Sequence, residues 1–105
     1  MNIQFKKGVL EMCVLSLLAS QDCYGYELVQ EISKRIEIAI GTIYPLLNRL
    51  KRENYFENYL SESGEGPPRK YYRLTPKGHE HTKNLIGEWK EFIKQVDTII
   101  EGGNK

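Results

Sequence analysis

Cysteine is scarce in this chain: only Cys13 and Cys23 occur. Without a cluster of other ligands, the pair gives little support to a disulfide framework or a structural metal site. Cys13 sits in the apolar run Met12-Cys13-Val14-Leu15 and reads as a small core side chain. Cys23 lies near a turn. Histidine is equally scarce. His79 and His81 are two positions apart on a helical stretch, so they do not share a face and are not a metal pair. Long hydrophobic runs are missing. The longest, Met12 to Ala19, is broken by Ser16 and is far too short to cross a bilayer. Met1 to Lys7 does not lead into a cleavable apolar segment, so the protein is expected in the cytoplasm. No Ser/His/Asp or Cys/His set, no paired inward carboxylates and no phosphate loop leading into a helix stand out. Neither an enzyme nor a bound cofactor is therefore expected. An excess of one charge is also lacking. A net charge of +1 excludes a globally basic nucleic-acid coat.

What is present is a local concentration of positive charge. Lys34, Arg35, Arg49, Lys51 and Arg52 face a single acid, Glu37, between residues 34 and 52. Arg69, Lys70, Arg73 and Lys77 have no acid among them. From Gly78 onward acids and lysines nearly balance. Phosphate contacts are expected where the cations gather, in the middle of the chain. At 105 residues the chain makes one small core, so an exposed apolar element would favour oligomerisation.

The order of elements follows from periodicity. Residues 5–19 suit a helix that is apolar almost all round, and such a helix must be covered on more than one side. One side can pack on the domain core and the other is expected to meet a second subunit. Ser20-Gln21-Asp22 reads as a turn, with Asp22 placed to cap a second helix that runs to about Arg35. Leu28, Val29, Ile32 and Ile36 point inward there, and Glu31 is placed to pair with Arg35. Ile36-Glu37-Ile38 alternates and suits a short strand. A third helix starts near Ile40 or Gly41, with Pro45 close enough to its start to limit the cost of the missing N–H. Tyr55 to Leu60 and Arg69 to Leu74 read as a β-hairpin whose tip is Ser61 to Pro68. Thr75-Pro76 is a helix start. The last helix, to about Ile100, carries Leu85, Ile86, Trp89, Phe92, Ile93, Val96, Ile99 and Ile100. Their three-and-four spacing makes a short coiled-coil-like seam.

Three helices, a hairpin and a long helix form the order of a mainly α winged helix-turn-helix. Residues 1–74 would be the DNA-binding domain and residues 75–105 the dimerisation helix. In the third helix Ile43, Leu46, Leu47 and Leu50 make one apolar stripe. The opposite side offers Thr42, Tyr44, Asn48, Arg49, Lys51 and Arg52, with no acid. That pattern suits insertion into a major groove, and it also suits an ordinary amphipathic surface helix. Tyr44 can reach a phosphate or a thymine methyl, Asn48 an adenine edge, and Arg49 a guanine or a phosphate. Thr42 can hold a phosphate at the helix N-terminus. Lys51 and Arg52 suit non-specific steering or a solvated face. Arg69 and Lys70 of the hairpin would lie near phosphates or in the minor groove. One of Tyr24 and Tyr26 is a further phosphate candidate. The other reading for the same surface is a module that docks a protein rather than DNA.

Trp89, the only tryptophan, sits mid-way along the last helix. It suits a packing anchor of a dimer interface. It also suits a flat wall for a planar aromatic effector, two copies sandwiching the guest across a two-fold axis. Phe5, Val9 and Met12 recur at helical spacing and can line the same cavity.

Gly41-Thr42-Ile43-Tyr44-Pro45-Leu46-Leu47-Asn48-Arg49-Leu50 and Pro68-Arg69-Lys70-Tyr71-Tyr72-Arg73-Leu74-Thr75-Pro76-Lys77-Gly78 resemble the two signature blocks of PadR-family transcriptional regulators. Tyr24-Gly25-Tyr26-Glu27-Leu28 matches a third block. The single C-terminal helix resembles the small subfamily that contains multidrug-sensing repressors. The resemblance implies a homodimer built from the last helix and the partner's first helix. It further implies a pseudo-palindromic double-stranded operator and release of the repressor by an effector. Trp89 matches the tryptophan that stacks on flat compounds in drug-sensing relatives. Phe5, Gly8, Val9, Met12, Ile86 and Ile93 would be its neighbours. Ile93 and Ile86 stand where a multidrug-sensing relative carries an acid and an aromatic.

Overall fold

The computed structural model describes residues 3–62, 64 and 66–102, with side chains from residue 8 onward. Seven elements follow one another: α1 (Ile3–Ser20), β1 (Cys23–Tyr24), α2 (Gly25–Arg35), α3 (Ile40–Arg52), β2 (Phe56–Ser61), β3 (Arg69–Leu74) and α4 (Pro76–Ile100). This is the winged helix-turn-helix order with a long terminal helix. The strands form one antiparallel sheet in the order β1-β3-β2. Among the described residues, no helix is long and apolar enough to cross a membrane.

The core is assembled from the stripe that each helix presents. Leu10, Val14, Leu15 and Leu18 of α1 meet Leu28, Val29 and Ile32 of α2 and Ile43, Leu47 and Leu50 of α3. Phe56 and Leu74, facing each other at the base of the hairpin, close it from below. Spacings of three and four residues bring each set onto one helical face. On α1, Met12, Cys13 and Leu17 stay half-exposed, so the all-round apolar helix has a second side to cover. After α3 and its C-cap Glu53, Asn54, with a φ of 64°, turns the chain into β2. An asparagine tolerates that left-handed conformation better than most residues. Pro45 falls in the second turn of α3 and is exposed, so the hydrogen bond it forfeits lies on the wet side.

α4 begins in a knot of hydrogen bonds. The Gly78 amide donates to Thr75 Oγ1 at 2.9 Å, and that hydroxyl donates to the Asn54 carbonyl at 2.7 Å. The Thr75 amide donates to the Tyr55 carbonyl at 3.1 Å. Thr75 and Pro76 thus start the helix as the sequence predicts.

Three expectations need correction. Asp22 does not cap α2. The helix starts after Tyr24, whose extended backbone makes no side-chain cap, and the Asp22 carboxylate accepts the Tyr59 hydroxyl at 2.7 Å. Pairing of Cys23 with Tyr72 and of Tyr24 with Tyr71 draws this segment to the sheet edge as β1. Residues 36–38 form no strand. β1 already occupies that edge of β3, and Ile36 instead ends α2 with its amide on the Ile32 carbonyl at 2.8 Å. Finally, β2 extends through Ser61, so the wing tip is 62–68. The Glu31–Arg35 pair forms as expected, at 3.3 Å.

Candidate nucleic-acid interface

α3 buries Ile43, Leu47 and Leu50 and turns Tyr44, Asn48, Lys51 and Arg52 outward. Thr42 and Arg49 lie half-buried on the flank toward α1, where both line a depression with Leu10. The N-cap is Ala39, which offers no side-chain acceptor to the first amides of α3, and the Thr42 amide bonds to the Ala39 carbonyl at 2.9 Å. Such a terminus favours an anion. On the other flank Tyr44 stands near Tyr72 at the base of the hairpin. Burial pushes the Tyr72 phenol pKa up, and the neighbouring Tyr44 adds to the rise. A Cβ on Gly25, at the start of α2, would stand 3.1 Å from the Tyr72 hydroxyl, so the two pack closely there.

The hairpin carries the second basic group. Arg69 and Lys70 are both exposed, and alternation along β3 sends them to opposite faces. On the Arg69 face the pairing register sets Tyr24, Tyr71 and Tyr59 in a row across the three strands. Ring centroids are 5.7 Å apart between Tyr24 and Tyr71 and 5.6 Å between Tyr71 and Tyr59. The Arg69 guanidinium lies 4.7 Å from the Tyr24 ring centroid, and that of Arg73 lies 4.8 Å from Tyr59. Arg73 also pairs with Glu57 at 3.0 Å. Tyr24 therefore supports a wing cation at cation–π range. The Arg-x-Tyr-x-Arg alternation of β3 hints at this row, but only the pairing of β1 brings Tyr24 into it.

Arg49 is placed differently from the other candidates of α3. One guanidinium nitrogen is bonded to Glu11 of α1, and the other reaches Glu53 at 3.0 Å. Glu11 also holds His81 Nε2 of α4 at 2.8 Å. Burial raises the Glu11 carboxyl pKa, but hydrogen bonds from His81 and Arg49 outweigh it, and the net shift is downward. The bond to Glu11 raises the pKa of Arg49 in return. Nothing in the sequence singled out Glu11, because its partners are 38 and 70 positions away.

Trp89 is half-buried on α4, between two grooves. One, of about 420 Å³, lies among α1, α2 and α4 and includes Met12, Leu17, Ile32 and Ile86 in its lining. The other, of about 350 Å³, includes Gly8, Val9, Met12 and Phe92. Four of the residues expected around Trp89 are thus brought to it. Ile93 lines neither groove, and the Phe5 side chain lies outside the described residues. Beyond Trp89, Phe92, Ile93, Ile99 and Ile100 are exposed. Among the described residues no group of three or more His, Cys, Asp or Glu is placed to hold a metal.

Comparison with known proteins agrees with this geometry. The model of the transcriptional regulator PadR-like family matches residues 14–84. An uncharacterised protein of Lysinibacillus sphaericus is 36% identical, over 91% of this chain and 92% of its own. The crystal structure of a PadR-like transcriptional regulator from Bacillus cereus superposes with a TM-score of 0.85 and 37% identity, covering 93% of this chain and 97% of that one. A Streptococcus transcriptional regulator superposes with a TM-score of 0.84 and 36% identity, covering 93% and 98%.

Proposed function

The chain belongs to the PadR-like family of transcriptional regulators, and on that premise we propose that it is a cytoplasmic, homodimeric repressor of its own promoter. Residues 1–74 bind a pseudo-palindromic operator and residues 75–105 join the two subunits. The observation that carries this reading is the exposed side of α3. Tyr44, Asn48, Lys51 and Arg52 are turned outward there, beside a wing with exposed Arg69 and Lys70. Tyr44 and Asn48 reach base edges in the major groove. Thr42, at the N-terminus of α3, takes a phosphate, and Lys51 and Arg52 add steering charge. Arg69, propped by Tyr24, and Lys70 take the flanking backbone or minor groove. Arg49 stands apart from this set, because both of its terminal nitrogens are already engaged.

A planar aromatic effector is proposed to lodge against Trp89, with Met12, Ile86, Gly8 and Val9 as walls, and to release the DNA. Exposed Phe92, Ile93, Ile99 and Ile100 continue the apolar side of α4 and suit burial by a second copy.

The test is titration of the duplex immediately upstream of its own gene, at several salt concentrations, against random duplex. A preference for the upstream duplex is expected, with affinity falling as salt rises. Arg69→Ala should lower the log–log salt slope by about 1.8, the contribution of one phosphate contact from each of the two subunits. Indifference to salt, or no preference over random duplex, would rule the proposal out.

A further inference from the structure

Glu11 is the point at which three helices meet through hydrogen bonds to one carboxylate. It sits on α1 among apolar neighbours, with its side chain only 18% exposed. Its two oxygens serve different elements: Oε1 takes Arg49 of α3, and Oε2 takes His81 of α4. The connection continues on both sides and closes on itself. The other Arg49 nitrogen holds Glu53 at the end of α3. Lys77 of α4 donates to the Glu53 carbonyl at 2.9 Å and lies 5.0 Å from the Tyr55 ring centroid. Tyr55 in turn stacks on His81, with centroids 4.1 Å apart and planes at 7°. The C-terminal end of α3 and the N-terminal half of α4 are thereby fixed to each other around one carboxylate.

We propose that Glu11 is a positioning residue for DNA reading: by holding Arg49 and His81 together it fixes the angle between α3 and α4, and so the separation of the two reading helices in the dimer. The lever is long. α4 has 25 residues, about 37 Å at 1.5 Å per residue, so a tilt of about 5° at its start moves its far end by about 3 Å. That is about the rise of one base pair. An angular error of a few degrees at Glu11 therefore amounts to one base pair of half-site spacing. Arg49 acts through this ring rather than through a phosphate. This inference rests on the DNA-binding dimer proposed above.

The experiment uses the full-length dimer and the operator defined by footprinting upstream of its own gene, with duplexes whose half-sites are one base pair closer or farther apart. The wild-type protein should bind the native spacing well above either altered one. Glu11→Gln should bind the native duplex about tenfold more weakly, the lower end for losing a hydrogen bond to a charged group. It should bind the altered duplexes as the wild type does, so that spacing discrimination collapses. Arg49→Gln should leave the salt slope unchanged. Thermal melts confirm that each variant is folded. If Glu11→Gln does not fold, His81→Gln carries the same expectation at a side chain 26% exposed. Retained discrimination, a uniform loss on all duplexes, or a slope reduced by about 1.8 in Arg49→Gln, one phosphate contact per subunit, would overturn the inference. A wild-type protein with no operator preference would instead overturn the DNA-binding proposal, and this inference with it.

Discussion

Replacing Gly78 by alanine should destabilise the protein severely, although the same change in an ordinary helix stabilises it. Gly78 is buried in the first turn of α4. A Cβ there would stand 1.9 Å from the Tyr55 carbonyl oxygen, 2.9 Å from its carbon and 3.2 Å from Leu74 Cδ2. Two of the three obstructing atoms are backbone, so no side chain can swing away. To restore ordinary contact the helix start must retreat by at least about 1 Å. The retreat acts on the hydrogen bonds that anchor α4. The Thr75 amide donates to that Tyr55 oxygen at 3.1 Å, and the Thr75 hydroxyl, which donates to the neighbouring Asn54 carbonyl at 2.7 Å, accepts from the Gly78 amide as the helix cap. Overpacking of this kind costs about 3 kcal/mol. Loss of the threonine cap adds about 1 kcal/mol. Better helix propensity returns about 1 kcal/mol. The expected net loss, about 3 kcal/mol, is a large share of the stability of a domain this size and should lower Tm by about 12–24 °C. Gly87, in the same helix, has nothing within 4 Å of its Cβ position. Gly87→Ala should gain about 0.5–1 kcal/mol. Chemical denaturation of both variants at one fixed protein concentration decides the matter, since dimerisation makes stability concentration-dependent. A loss below about 1 kcal/mol for Gly78→Ala would refute the reasoning.

Other outcomes follow from particular contacts. The Glu11 carboxyl is more acidic in the folded chain than its ordinary value of 4.5, so its ionised form favours folding above that pH. The contribution fades as pH falls from there through its lower folded pKa. Denaturation midpoints followed down that range should fall less steeply in Glu11→Gln, and an unchanged acid limb would contradict the assignment. Tyr24→Phe should keep DNA affinity, because the ring under Arg69 remains. Tyr24→Leu should weaken it by about five- to thirtyfold, the value of one exposed cation–π contact in each subunit of the dimer; equal behaviour of the two variants would remove Tyr24 from the wing's support. Planar aromatic dyes should quench Trp89 fluorescence in the wild-type protein. Failure of a chemically diverse panel would leave Trp89 as packing alone.

Much of the fold could be read from local pattern. The stripes Leu28-Val29-Ile32 and Ile43-Leu47-Leu50 and the Thr75-Pro76 start depend on side chains within a few positions of each other. They appear in the structure where periodicity and capping chemistry put them. The errors arose where a distant partner outbid a local preference. Asp22 would suit a cap, yet the Tyr59 hydroxyl takes its carboxylate. Ile36-Glu37-Ile38 alternates like a strand, but β1 already occupies the edge of β3.

The division also holds for the site. Residue order is enough to say which side chains are basic, aromatic or apolar, and on which face of its own helix or strand each one lies. Periods of 3.6 and 2 residues are properties of the backbone and require no neighbour. Tertiary structure alone decided the pairings. The register of β1 on β3 set Tyr24 in the row that supports Arg69. Packing of α1 against α3 and α4 gave Glu11 its two partners and tied Arg49 to α1, which no local pattern foretells. Ion pairs and stacked rings need contact within a few ångströms, and over tens of residues the chain's local pattern carries no record of which groups will come that close.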